Sequence, residues 1–139
     1  MSAFVTPIRT ASGLVVVEGR LWGPHGRSRA VELAVDTGAG MTTIKPRVLD
    51  EMGYSARMGE RIVRVSSAIG REDTYTIRVR GLGVLGFNAA DLLVNAADLS
   101  EHYDIDGLVG LDLLRDFDCL FRFSTGEIVL QPIEDPPAV

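Results

Sequence analysis

The chain is short of the residues that most sites of chemistry are built from. One cysteine, Cys119, in 139 residues excludes an intrachain disulfide. Its setting between Phe117 and Phe121 reads as core filling. Two histidines, His25 in a Gly/Pro turn and His102 in an acidic stretch, do not make a zinc site with a single thiol. No G-x-S-x-G is present, and no Ser is joined by a recognisable His and Asp constellation. Basic residues are outnumbered, 14 against 19 acidic, and the net charge of −5 offers no footprint for nucleic acid or an anionic membrane. No apolar run approaches a membrane span, and residues 1–10 lack the pattern of a secretory leader, so cytoplasmic is the default expectation. No internal repeat or low-complexity tract is present.

What the chain does have is β-strand patterning in a length suited to one core. At 46% hydrophobic and 24% charged, 139 residues form a single globular domain by the usual size prior. The expected organisation is one domain over 1–131 and a Pro-rich tail over 132–139, which holds three of the six prolines. Residues 14–22 read as a first long strand, 23–26 as a turn and 29–36 as a second strand. A short strand over 42–44 precedes a helix over 46–52, opened by Pro46 and stopped by Gly53. Alternation at period two marks strands over 61–66 and 74–80, joined by the small, polar segment 67–73. Further strands are expected over 84–87 and 91–95, with an acidic loop or helical turn over 96–105. A short helix over 111–116 then leads into a hairpin of 118–123 with 127–131. Residues 1–10 suit an edge strand or an interface arm. Short strands at close spacing with minimal helix indicate an all-β fold.

Three further signals fail on context. Gly81-Leu82-Gly83-Val84-Leu85-Gly86 matches the dinucleotide fingerprint, but no helix follows to hold a pyrophosphate. Val35-Asp36-Thr37-Gly38-Ala39-Gly40 is similar to the phosphate loop of actin-like ATPases, whose two large α/β domains cannot fit in this length. Asp98, Glu101, Asp104 and Asp106 lack EF-hand spacing and read as a solvated acidic face. No metal or cofactor is expected.

The remaining signal is a carboxylate. The apolar run 31–35, broken only by Glu32, delivers Asp36 into a glycine turn, where an unpaired buried acid is costly. Gly38 and Gly40 let the backbone turn sharply and leave space for an approaching group. Alone, Asp-Thr-Gly serves equally well as an ordinary turn. Downstream, however, Leu108-Val109-Gly110 precedes the short helix and final hairpin. Asp36-Thr37-Gly38-Ala39 followed by this apolar-apolar-Gly segment resembles the retropepsin-like aspartic proteases, over about residues 14–130.

The resemblance implies a closed acid-protease β-barrel with one or two short helices, and an aspartic endopeptidase acting on extended peptide segments. With one Asp-Thr-Gly per chain, it implies a homodimer in which Asp36 of each copy completes the site. On that pattern Asp36 is the catalytic acid/base, Thr37 bonds across the dimer axis and the Gly38 carbonyl receives substrate backbone. Ala39 follows as in retroviral members. Ser67, Ala68, Ile69 and Gly70 would form the flap over bound peptide, and Leu108 and Val109 would pack near the loop or line a pocket. Two departures stand out. Viral members carry an Arg after the apolar-apolar-Gly, paired with an acid four residues after the catalytic one; here those positions are Leu111 and Gly40. The flap tip holds a single glycine, Gly70. Two other readings remain open: a peptide-binding module of the same fold that no longer cuts, and a structural β-domain in which Asp36 is a turn acid.

Overall fold

The computed structural model describes residues 3–67, 70–99 and 103–135. Two hydrophobic devices organise it. A curled sheet wraps the main core, and a small three-stranded sheet closes one end.

The chain enters through β1 (Phe4–Pro7) and β2 (Arg9–Ala11) and turns into β3 (Leu14–Trp22). Ser12 and Gly13 both have positive φ (53° and 79°), the conformation that matches a two-residue turn to strand twist. β4 (Ser28–Val35) runs back antiparallel to β3, with Val16 opposite Ala34 and Trp22 opposite Ser28. After the Asp36 loop come β5 (Thr43–Ile44), α1 (Pro46–Glu51) and a single 3-10 turn, Ala56–Met58. Pro46 at the helix start leaves no N–H wasted there.

β6 (Arg61–Ser67), β7 (Gly70–Val84) and β8 (Phe87–Ala96) form a long antiparallel meander. β9 (Gly107–Val109), α2 (Leu111–Leu114), β10 (Phe117–Arg122) and β11 (Glu127–Pro132) complete the chain. Among the described residues no helix is long and apolar enough to cross a membrane.

The larger sheet has the order β2-β3-β4-β9-β5-β8-β7-β6, and β3 also pairs β7 through Arg20–Trp22. It therefore curls into a partial ring, with β2 and β6 left as edges. Inside it Leu21, Leu33, Ile44, Leu49, Ile77 and Leu82 are fully buried. Each such side chain contributes about 1.5–3 kcal/mol by leaving water. Tyr54 locks the end of β3 to β7: its hydroxyl donates to Trp22 O at 2.6 Å and accepts from Arg80 N–H at 2.8 Å. The second sheet, β1-β11-β10, buries Ile128 and Leu130 and packs Phe4 and Phe117 against Phe87 of β8, with ring centroids 5.0–6.4 Å apart.

Two expectations change, the strand over 84–87 and the packing of Cys119, while the reading of the dinucleotide-like segment holds. The strand expected over 84–87 is instead the β7–β8 turn, with Leu85 and Gly86 at φ of 56° and 91°. Leucine is strained there, but its side chain is 1% exposed in the core, and that burial offsets the cost. Gly81 and Gly83 lie inside β7, so the dinucleotide-like segment opens no helix. Cys119 is not core filling. It is exposed on β10, because that strand is an edge whose outer side has no neighbour among the described residues.

Candidate active site

Asp36 lies one residue beyond β4, which is flanked by β3 and, in parallel, by β9 (Leu33 opposite Gly107, Val35 opposite Val109). The ladder continues for one more bond, Asp36 N–H to Val109 O at 2.9 Å. The backbone then folds over the carboxylate. Gly38 N–H donates to Asp36 Oδ1 at 2.8 Å, and Ala39 N–H donates to Asp36 O at 3.3 Å. This is an Asx-type turn, in which the side chain substitutes for a backbone acceptor. A Cβ at Gly38 would stand 3.1 Å from Asp36 Oδ1, so glycine keeps the carboxylate uncrowded. Asp36 and Ala39 are half-buried, while Thr37, Gly38 and Gly40 are exposed.

The return limb of the loop is fastened from behind by the segment after β9. Gly110 sits so close that a Cβ would lie 2.7–2.8 Å from backbone atoms of Ala39 and Met41. Leu111 N–H donates to Ala39 O at 2.8 Å, and Asp112 N–H to Gly40 O at 3.2 Å. Asp112 then closes the clamp. Its carboxylate accepts from Thr42 N–H at 3.0 Å to either oxygen, and from Thr42 Oγ1–H at 2.8 Å. It also accepts from Leu113 N–H at 3.0 Å. Thr42 Oγ1 in turn accepts from Gly110 N–H at 3.2 Å, and Thr42 is fully buried.

Sequence reasoning missed this pair. It noted that the viral Arg and acid are absent at Leu111 and Gly40, yet passed over Asp112 one position later and Thr42 two positions later. An acid in the first turn of α2 and a Thr in an apolar setting were the available signals.

The loop borders a pocket of about 380 Å³ that Asp36 helps to line. Leu14, Ala34, Leu99, Tyr103, Ile105 and Leu108 form most of its wall. Leu14, Leu99, Tyr103 and Ile105 also escaped the sequence reading, which treated 96–105 as an acidic loop. Ile105, only 7% exposed, pins that loop against Val16 and Ala34.

Of the residues singled out from sequence, Asp36, Thr37, Gly38, Ala39, Leu108 and Val109 are gathered in one place. Leu108 lines the pocket, whereas Val109 is 0% exposed and belongs to the core, meeting the loop through its carbonyl. Ser67 and Gly70 pair with each other at the end of the β6–β7 ladder. Ala68 and Ile69 lie outside the described residues. Among the described residues no group of three or more His, Cys, Asp or Glu could hold a metal ion.

The family described as Aspartyl protease matches residues 17–113, from β3 through the clamp on α2. The chain belongs to the aspartyl protease family. Its fold is retropepsin-like. It is similar to the crystal structure of a retropepsin-like aspartic protease from Rickettsia conorii, with a TM-score of 0.65 and 19% identity over 94% of this chain and 99% of that one. It also matches the retroviral protease-like domain of Ddi1 from Leishmania major, with a TM-score of 0.40 and 17% identity over 97% and 98% of the two chains. No curated protein sequence matches. In this member of the family, the single Asp-Thr-Gly sits on a loop closed on its inner side and open on its outer side.

Proposed function

We propose that the protein is an aspartic endopeptidase that works as a homodimer, with Asp36 of each copy facing the other across a two-fold axis. The observation that carries this is the state of the Asp36 loop. The motif is intact, its carboxylate is half-buried beside an apolar pocket, and the neighbouring Thr37 and Gly38 are exposed.

Two carboxylates about 3 Å apart cannot both ionise, so a pair shares one proton. The ionised Asp36 takes a proton from water as its oxygen attacks the scissile carbonyl carbon. The protonated one donates to the carbonyl oxygen. Collapse of the tetrahedral species breaks the C–N bond and re-forms the carbonyl, one hydroxyl proton returning to the second carboxylate while the proton held by the first passes to the leaving amine. Substrate lies extended, held by main-chain bonds in the manner of an added strand, and alternate side chains enter pockets. The Leu14–Leu99–Ile105–Leu108 wall suits an apolar side chain next to the scissile bond.

The test is cleavage of a diverse peptide library by wild type and Asp36→Asn, with molecular mass recorded. Cleavage by a dimeric wild type and none by the equally dimeric variant is the expected result. An Asp36→Asn protein that cuts like wild type refutes the reading. Peptide affinity without product moves it to a binding module of the same fold.

A further inference from the structure

We propose that Lys45 and Arg47 form an acid-reading subsite for the bound peptide, so that favoured substrates carry Asp or Glu about four residues from the scissile bond. This deepens the protease reading above and rests on it.

The sheet sets the position. Ala34 of β4 lies beside Leu108 of β9, Leu108 beside Thr43 of β5, and Thr43 beside Asn95 of β8. Directly paired residues point to the same face, so these side chains form a row across one side of the sheet. Ala34 and Leu108 already wall the Asp36 pocket. Ile44 points the other way, into the core at 0% exposure. Lys45 follows it with extended backbone, φ −60° and ψ 136°, and returns to the face of Thr43 and Leu108. Its backbone is held on both sides. Lys45 N–H donates to Asp106 O at 2.9 Å, and Lys45 O accepts from Val48 and Leu49 N–H at 3.0 and 3.2 Å.

The side chain, by contrast, finds no partner. Lys45 is only 8% exposed, yet it makes no ion pair or side-chain hydrogen bond with another described residue. A lysine this covered is ordinarily paired. The Asp106 carboxylate is engaged elsewhere, by Arg29 at 3.3 Å and by Glu32 N–H at 2.8 Å. Lys45 instead lines a cavity of about 300 Å³ with Arg47, Asp98 and Leu99. Arg47 is exposed and also unpaired among the described residues. Two cations thus face one acid, Asp98, which is within ion-pair distance of neither. A carboxylate entering the cavity meets an ammonium on a fixed backbone and a guanidinium beside it.

Leu99 lines both this cavity and the Asp36 pocket, so one side chain separates them. β9 runs parallel to β4 and antiparallel to β5, which places Lys45 two strands across and four residues along from Asp36. At about 4.8 Å per strand and about 3.3 Å per residue, their Cα atoms are about 16 Å apart. The lysine side chain closes the last part of that gap, and an extended peptide spans the rest in about four residues. The two-fold axis repeats the subsite on the other flank of the bond.

The test compares peptides that differ only by Glu or Gln at the third, fourth or fifth position from the cleaved bond. Wild type is expected to favour Glu at one of these positions by about tenfold or more in kcat/KM, the scale of a hydrogen bond to a charged group. Lys45→Met is expected to erase that preference, Arg47→Gln to reduce it and Asp98→Asn to increase it. Fluorescence anisotropy of the same peptides on Asp36→Asn makes the comparison without turnover. Urea unfolding of Lys45→Met is expected to give a midpoint at or above that of wild type, because no ion pair is lost.

Equal treatment of Glu and Gln at all three positions, or a preference that survives Lys45→Met, overturns the proposal. A lowered urea midpoint for Lys45→Met also overturns it, by giving the lysine a structural role. The outcomes separate it from the enzymatic reading. Cleavage indifferent to the acid refutes the subsite alone. Acid-dependent binding to Asp36→Asn, with no product from wild type, refutes the protease alone. Peptides that neither bind nor are cut refute both.

Discussion

Replacing Asp112 by Ala tests whether the clamp behind the Asp36 loop holds the fold together. The carboxylate accepts from Thr42 N–H, Thr42 Oγ1–H and Leu113 N–H. Thr42 is 0% exposed, so water does not readily replace what Ala removes. Leaving a buried donor without an acceptor costs about 1–3 kcal/mol. Two such donors on Thr42 would set the loss near 2–6 kcal/mol, but Asp112 itself is half-buried and its cavity admits some water. An expected loss of about 2–3 kcal/mol follows, a large share of the total stability of a domain this size. Urea unfolding with an unchanged m-value measures it.

Thr42→Val removes the hydroxyl alone and is expected to cost about 1–2 kcal/mol, since Gly110 N–H also loses its acceptor. The double variant should lose less than the sum, by about 0.5–3 kcal/mol, because the groups form one network. A loss below about 0.5 kcal/mol for Asp112→Ala, the range of ordinary surface changes, would refute the reasoning.

The other predictions rest on separate contacts. Gly110→Ala forces a Cβ to 2.7–2.8 Å from backbone of Ala39 and Met41, and is expected to cost about 2 kcal/mol or more by chemical denaturation, with activity falling further as the loop shifts. Tyr54→Phe strips the acceptor from Arg80 N–H and should cost about 1–2 kcal/mol. Burial raises the pKa of Tyr54 and of Tyr75 above 10.0, so the folded state resists their ionisation. Stability should therefore be flat with respect to these groups below pH ~10 and fall as pH rises above it, where the unfolded chain releases protons first. Tyr54→Phe should make that alkaline decline shallower. Leu108→Phe narrows the pocket beside Asp36, and under the protease reading it shifts the cleavage profile toward smaller side chains at that subsite.

What sequence disclosed followed the range over which each signal acts. β3, β4 and β6 were legible because period-two patterning and β-branched runs are local. The motif was legible because a carboxylate set on a glycine turn needs consecutive residues. The β7–β8 turn was hidden because Leu85 adopts a left-handed conformation that only its burial sustains, and nothing local announces burial. Cys119 was misjudged for the same reason: its apolar neighbours describe a strand, but not whether another strand covers it. The pocket wall was hidden by distance in sequence. Leu14, Leu99 and Ile105 meet because β3, β4 and β9 lie side by side, and the acidic residues around Ile105 masked its role.

The loop's two sides differ in a way that bears on why one motif per chain suffices to build it. Behind Asp36, three backbone groups are met within the chain: Ala39 O by Leu111, Gly40 O by Asp112, and Gly110 N–H by Thr42. An Arg and acid pair is unnecessary for that purpose, because Asp112 and Thr42 bridge the same two segments with a carboxylate and two donors from one residue. In front, Thr37, Gly38 and Gly40 remain open to solvent. A carboxylate on a loop fastened from the rear and open in front stays hydrated until something approaches it. A loop stabilised entirely by its own chain can wait for that approach without unfolding. On the dimer reading, mutations behind the loop should therefore appear first as lost stability, and mutations at Thr37 as lost association at unchanged monomer stability. If Thr37→Ala lowers monomer stability as much as Asp112→Ala does, the front of the loop is part of the fold and this division fails.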